Sequence, residues 1–364
     1  MSRRGFVGLL GSAAAVLAAR AAQLASAAPP VQAGDAGHAG HAGHSLDPQA
    51  GSGFGAVGGV DHARNGFDPL ALLTDFYTGD RVYEENGQTV REYTLIAVDK
   101  EIEIAPGVFF PAWTYNGRVP GPTIRATAGD RLRVRLVNAG SHPHTIHFHG
   151  RHPAGMDGVT HSGPHAQGLP FDQVGPGQIA PGAEFTYEFD AEPFGLHLYH
   201  CHAVPLKRHI FKGLYGAFIV DPPGGRAPAR ELVMVMNAFD TNLDGENEVY
   251  AVNSIAFAYQ EQPIPLQVGE LVRIYLVNLT EFDPINSLHL HAGFFDYYDH
   301  GTTLEPTLRT VDTVMQCQGQ RGILEFRYAY PGLYMFHAHQ SEFADLGWMG
   351  MFHVQEEGEA HGSH

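Results

Sequence analysis

A chain of 364 residues with 44% hydrophobic content can bury more than one core, and the length corresponds to about two domains. A formal charge of −17 excludes nucleic acid and anionic membrane surfaces as partners, because both need a basic face. Histidine is the anomaly: the 23 histidines outnumber the 22 lysines and arginines together, which core packing does not explain.

Residues 1–27 read as an export signal, with Arg3 and Arg4 as a twin-arginine pair ahead of an Ala/Leu-rich run and Ala25-Ser26-Ala27 suited to cleavage. The run is interrupted at Arg20 and falls short of the ~20 residues that a membrane span needs. The mature protein is therefore expected in the periplasm or outside the cell. Residues 28–60 carry His38, His41 and His44 in an Ala-Gly-His repeat without apolar periodicity, and read as a disordered leader. The tail 358–364, with His361 and His364, reads the same way.

From about Glu92 the pattern changes to short β runs between Gly and Pro: Tyr93 to Val98, Arg131 to Val137, Glu184 to Phe189, Leu271 to Val277 and Leu324 to Tyr328. In Arg131-Leu132-Arg133-Val134-Arg135-Leu136 the apolar side chains take one face and the arginines the other. Long helical periodicity is missing, which predicts an all-β chain of sandwiches or barrels. The chain also repeats itself. Gly129-Asp130-Arg131-Leu132-Arg133-Val134-Arg135-Leu136-Val137-Asn138 returns as Gly269-Glu270-Leu271-Val272-Arg273-Ile274-Tyr275-Leu276-Val277-Asn278. One sandwich is thus duplicated, with domains at 61–224 and 225–357 and a Pro/Gly-rich joint at Asp221-Pro222-Pro223-Gly224-Gly225.

Each copy carries two His-x-His pairs, His147/His149 and His200/His202 in the first, His289/His291 and His337/His339 in the second. On a strand, residues two apart share a face, so each pair aims both imidazoles the same way. Eight imidazoles at matching places in a repeat suit a cluster of about three coppers, each taking two or three nitrogens. Cys201, between His200 and His202, faces the opposite way and suits a separate thiolate-bound copper. His144, an odd offset before His147, points toward Cys201; His142 has the same parity and is the weaker alternative. A further ligand should follow Cys201 in a loop, and His209 is the nearest neutral nitrogen donor. Cys317 is then a buried free thiol rather than a disulfide partner of Cys201.

From about Glu92 to Val354 these motifs resemble the two-domain multicopper oxidases built from tandem cupredoxin-like Greek-key β-sandwich domains. The resemblance implies a type 1 copper on His144, Cys201 and His209. It also implies a trinuclear centre of one type 2 and two type 3 coppers on His147, His149, His200, His202, His289, His291, His337 and His339, about four coppers per chain. Leu214 stands where many type 1 sites carry an axial methionine and cannot coordinate, which predicts a three-coordinate site of raised potential. Asn286, Ala338 and Phe343 stand at the places of His144, Cys201 and His209, so the second domain has lost its type 1 copper.

The resemblance further implies a homotrimer with clusters between neighbouring subunits. Asp157 matches an aspartate that the family uses near the cluster, and Glu342, three residues past His339, is a second candidate for proton delivery. The implied activity is laccase-like: one-electron oxidation of phenolic or other reducing substrates, metal ions included, coupled to reduction of dioxygen to water. Two other readings compete. A copper nitrite reductase has the same two-domain plan but a mononuclear catalytic copper, for which eight cluster histidines are too many. A copper storage or delivery protein would need exchangeable ligands, often methionines, and the 8 methionines form no cluster in the sequence.

Overall fold

The computed structural model describes residues 59–161 and 164–356. The expected signal at 1–27, nearly all of the leader at 28–60 and the tail at 358–364 lie outside the described residues. Among the described residues the fold is all-β, with four sheets and only short helices. None of those helices is long and apolar enough to cross a membrane.

In the first half, one sheet runs Phe76–Tyr77, Thr123–Thr127, Tyr215–Asp221, Gly195–His200, His147–Phe148 in spatial order. The facing sheet runs Arg81–Glu85, Gln88–Ala105, Arg131–Asn138, Glu184–Asp190, with Val108–Tyr115 paired to Gln88–Ala105. The second half rebuilds the plan. Ile264–Gln267, Met349–Gln355, Gly332–His337 and Ile285–Leu290 follow one another as their counterparts do, and Arg230–Phe239, Val272–Asn278 and Arg321–Phe326 answer to Gln88–Ala105, Arg131–Asn138 and Glu184–Asp190. Even the parallel pairings recur: Thr123–Thr127 with Tyr215–Asp221, and Ile264–Gln267 with Met349–Gln355.

The two copies differ where their surroundings differ. In Arg131–Asn138 the side chains of Leu132, Val134 and Leu136 fill the first core, while Arg131 and Arg133 face outward and pair with Glu188 at 3.0 and 3.2 Å. In Val272–Asn278 every residue is buried. Ile274 and Leu276 enter the second core, and Tyr275 and Val277 join a third cluster with Ile102, Phe110, Ile219 and Val235 that fuses the halves. That is why the arginines of the first copy are replaced by apolar residues in the second: a strand covered on both faces reads as an unbroken apolar run. Arg273 survives there because Glu325 and Glu231 hold its guanidinium at 2.6 and 3.2 Å.

Several expectations are corrected at this level. The first ordered strands precede Glu92, at Phe76–Tyr77 and Arg81–Glu85, and the predicted Tyr93–Val98 is the middle of the longer strand Gln88–Ala105. The last predicted strand ends at Phe326 instead of Tyr328. His209 sits on a helix, Leu206–Phe211, rather than in a loop. Cys317 is free but exposed: it closes the edge strand Thr313–Cys317, in which Val314 and Gln316 take the buried face and the odd positions the open one.

Candidate metal centres

The strand Gly195–His200 is buried along its whole length, and the chain leaves it at Cys201 with side chains still alternating. Cys201 Sγ turns into the first core and meets His209 Nδ1 at 3.3 Å and His144 Nδ1 at 3.9 Å, while the two Nδ1 atoms are 3.2 Å apart. Three ligands around one ion, at about 2.0 Å for nitrogen and 2.3 Å for sulfur, would stand roughly 3.5–3.8 Å apart. The donor set therefore fits a single soft or borderline metal. Burial holds both imidazoles neutral, each with its pKa lowered to about 4, and pushes the thiol up to about 11. Thr145 N–H donates to Sγ at 3.3 Å, and His144 Nε2 is buried without a partner. His142, the alternative by parity, stays outside the set: its Nδ1 meets Ser141 Oγ at 2.8 Å and its ring stacks on Trp113.

Leu214 is fully buried, and its carbonyl accepts the Cys201 N–H at 2.9 Å. Its side chain brings only carbon to the thiol's neighbourhood. In the second half the same backbone bond joins Ala338 N–H to the Trp348 carbonyl at 3.2 Å, so Trp348 is the counterpart of Leu214. The indole Nε1–H donates to Asn286 Oδ1 at 3.0 Å, and Phe343 stacks on Tyr250 at 4.0 Å. An indole, an amide and two phenyl-type rings thus occupy the space that the first half gives to two imidazoles and a thiol, and no soft donor set remains there.

On the other side of Cys201, His200 pairs with His147 across the sheet, and the His149 and His200 Nε2 atoms stand 3.4 Å apart. The rings are fixed from behind. His200 Nδ1–H donates to the Cys201 carbonyl at 2.9 Å and His147 Nδ1–H to the Asp157 carbonyl at 2.8 Å, which leaves both Nε2 lone pairs facing inward. The turn that brings Asp157 there requires Gly158: at φ +71° an added Cβ would lie 1.9 Å from the Ile146 carbonyl oxygen. His202 completes the group, with its amide held by Thr145 Oγ1 at 2.9 Å and its Nδ1 buried without a partner. Desolvation keeps His147, His149 and His200 neutral.

The second half repeats this set bond for bond. His289 pairs with His337, His337 Nδ1–H donates to the Ala338 carbonyl, and the His339 amide donates to Ser287 Oγ at 2.8 Å. His291 and His337 bring their Nε2 atoms to 3.0 Å. The environment differs, because His291 and His339 are exposed. No hydrogen bond or ring contact among the described residues joins a histidine of one set to a histidine of the other.

The structure places the two acid candidates differently. Asp157 Oδ1 lies 3.1 Å from His147 Nδ1 and 3.5 Å from His152 Nε2, behind the ring rather than on its inward side. Glu342 is exposed on the helix Ser341–Asp345, and its side chain bonds to no cluster histidine. Two residues invisible to the sequence reading also reach the first set. Glu281 shares a cavity of about 380 Å³ with His147, His149, His200 and His202, and burial raises its pKa. Arg321 crosses from the second half, donating to the Leu196 carbonyl at 3.0 Å and to His149 Nδ1 at 3.3 Å. No motif marks either residue; only the packing of the two halves brings them there.

Two family models, both described as multicopper oxidase, match this chain at residues 98–225 and 226–358. The chain belongs to the multicopper oxidase family. Members of this family are copper-dependent oxidoreductases, and the sandwiches described above are its cupredoxin-like fold. A solved multicopper oxidase is 55% identical, with a TM-score of 0.76 over 81% of this chain and 100% of its own. The copper-containing nitrite reductase of Neisseria meningitidis serogroup A is 27% identical over 65% of this chain, which spans 62% of that relative's length. The L-ascorbate oxidase of Cucumis sativus is 41% identical over 31% of this chain and 17% of its own. The multicopper oxidase fold is thus shared with proteins of more than one chemistry, and the donor sets must decide between them.

Proposed function

We propose that this multicopper oxidase is laccase-like, taking single electrons from phenolic or other reducing substrates and passing them to dioxygen. The observation that carries the reading is the position of Cys201, whose sulfur faces His144 and His209 while the adjoining imidazoles of His200 and His202 face His147 and His149. Copper held by these sets supplies one-electron acceptance at the thiolate site and four-electron reduction of dioxygen to water at the eight-histidine site.

The chain's own part follows from its bonds. Cys201 would hold the metal as a thiolate, and the Thr145 N–H that donates to its sulfur at 3.3 Å would stabilise that charge. The peptide from Cys201 to His202, and the hydrogen bond from His200 Nδ1–H to the Cys201 carbonyl, give electrons two short routes from sulfur to imidazole. Asp157 orients His147, and Glu281 is better placed than Glu342 to deliver protons on the inward side. Leu214 offers no donor atom, so His144, Cys201 and His209 alone would hold the metal at the thiolate site.

The cluster is completed between subunits, in a homotrimer. The second set lies on an open sheet face where Ile285, Met315 and Leu333 are 38%, 62% and 63% exposed and share its odd-numbered positions, an apolar surface suited to a neighbouring copy. Export through the twin-arginine signal belongs to the same reading.

Nitrite reduction is the second reading, favoured by the Neisseria relative. Dioxygen uptake with a phenolic donor, alongside copper counted per chain, separates the two. About four coppers and water formation without peroxide support the oxidase. About two coppers, no oxygen uptake and nitrite consumption with a reduced dye support the reductase.

A further inference from the structure

We propose that Arg321 is a positioning residue: it crosses from the second half to hold His149 in the tautomer whose Nε2 carries a proton, and the first histidine set fills only when its guanidinium lets go. The proposal rests on the reading of that set as half of the copper cluster and says what governs its filling.

Arg321 opens the strand Arg321–Phe326 and is half-buried. Its Nε–H donates to the Leu196 carbonyl at 3.0 Å. One terminal nitrogen lies 3.2 Å from the Gly319 carbonyl and 3.3 Å from His149 Nδ1, and the other lies 3.5 Å from His197 Nδ1. A guanidinium has only N–H donors, so both imidazole nitrogens that face it present lone pairs. His197 shows the consequence, because its proton sits on Nε2 and is donated to the Pro193 carbonyl at 2.8 Å.

His149 is constrained from both sides. Its Nε2 stands 3.4 Å from His200 Nε2, and His200 donates its own Nδ1–H to the Cys201 carbonyl at 2.9 Å. Burial keeps both rings neutral, with one proton each. The hydrogen bonds therefore run one way, from Arg321 to His149 Nδ1, from His149 Nε2–H to His200 Nε2, and from His200 Nδ1–H to Cys201. A guanidinium that cannot accept closes one end, and a carbonyl that cannot donate closes the other.

In this arrangement His149 Nε2 offers no lone pair. The ring can ligate there only after its proton moves to Nδ1, with no net release, and the contact with Arg321 then sets two donors against each other. Arg321 has room to turn away. A cavity of about 500 Å³ opens beside it, walled in part by His152, His197, His300 and Thr302, and Asp299 is near enough for its charge to act on the guanidinium. The second set supplies the contrast. His291 and His337 repeat the Nε2 contact at 3.0 Å, and His337 repeats the bond to a carbonyl, but His291 is exposed and among the described residues no arginine or lysine bonds to its ring. The restraint belongs to the first set alone, the one that lies against the other half.

The test uses the metal-free full chain with isotope-labelled histidine, and then follows its uptake of copper(II). Long-range proton–nitrogen correlation spectra at neutral pH report which ring nitrogen bears the proton, with each signal assigned as the one missing in His149→Gln or His291→Gln. We expect Nε2–H for His149 in the parent and in Arg321→Lys, which keeps a donor. In Arg321→Met the two nitrogens should average, as those of His291 should in every chain. Uptake is read as copper per desalted chain over time, alongside the blue absorption that reports the thiolate set. We expect the blue colour first and further copper in a slower phase, which Arg321→Met speeds about tenfold without moving the blue phase and which Arg321→Lys leaves close to the parent rate. An averaged or Nδ1-protonated His149 in the parent would overturn the proposal, and so would Arg321→Met with an unchanged spectrum or an unchanged slow phase. The contrast between His149 and His291 within the parent needs no change at Arg321, so a misfolded Arg321→Met does not remove the test. A parent that never takes up more than one copper overturns the cluster reading instead, and the spectra alone then decide whether Arg321 holds the His149 tautomer.

Discussion

At the scale of single residues, the thiolate set makes the sharpest demands. Its thiol titrates near 11 and its imidazoles near 4 in the metal-free chain, so between these values copper displaces one proton, from Cys201. Copper affinity at this set should therefore rise about tenfold per pH unit through neutrality and fall more steeply below about 4, where protons also compete for His144 and His209. Calorimetry in buffers of different ionisation enthalpy counts the released proton; a count of zero at pH 7 would contradict the protonated thiol. Cys201→Ser should remove the blue absorption and the oxidase activity together, since a serine hydroxyl does not supply a soft anionic ligand. Leu214→Met offers a thioether where only carbon stands now, and spectroelectrochemistry should show a lower reduction potential; an unchanged potential would mean that another group already approaches the site.

Individual strands and turns show why some of this was legible in the sequence. The His-x-His pairs are local, and a strand converts a spacing of two into a shared face regardless of what lies beyond it. His144 was legible for the same reason, because parity survives the short excursion from His147. Elimination points to His209 as the residue beside Cys201 but not to its helix, since six residues between a proline and a glycine carry too little periodicity. Trp113, Glu281 and Arg321 were invisible because each reaches its place through contacts distant in sequence. The second half's counterpart of the thiolate set lay between these cases: Asn286, Ala338 and Phe343 at its positions were legible, while the part of Trp348 was not. Trp348 fills that space and bonds Asn286, so Trp348→Ala should open a cavity and lower stability by about 3–5 kcal/mol, read from denaturant unfolding. A loss below about 1 kcal/mol would mean that the neighbourhood collapses into the gap.

For the molecule as a whole, the decisive fact is that its two histidine sets are built alike and finished differently. One set lines a cavity within its own chain. The other stands on an open sheet face among exposed apolar side chains, where a stable monomer would carry polar ones. Leu333 lies on the Gly332–His337 strand with the same parity as His337, and Met315 lies opposite Ser287 on the neighbouring strand. Glutamate at an exposed position such as these should change the stability of one chain by no more than about 0.5 kcal/mol, but in a closed interface it would bury an unpaired charge. The double change Met315→Glu/Leu333→Glu should therefore turn a trimer into monomers in sedimentation velocity. It should leave the blue absorption intact, because His144, Cys201 and His209 are buried within one chain. Copper per chain should fall from about four to about one, and oxygen uptake should vanish. The combination is diagnostic: a monomer with full copper would show that one chain can close its own cluster, and a trimer with full activity would show that this face points to water.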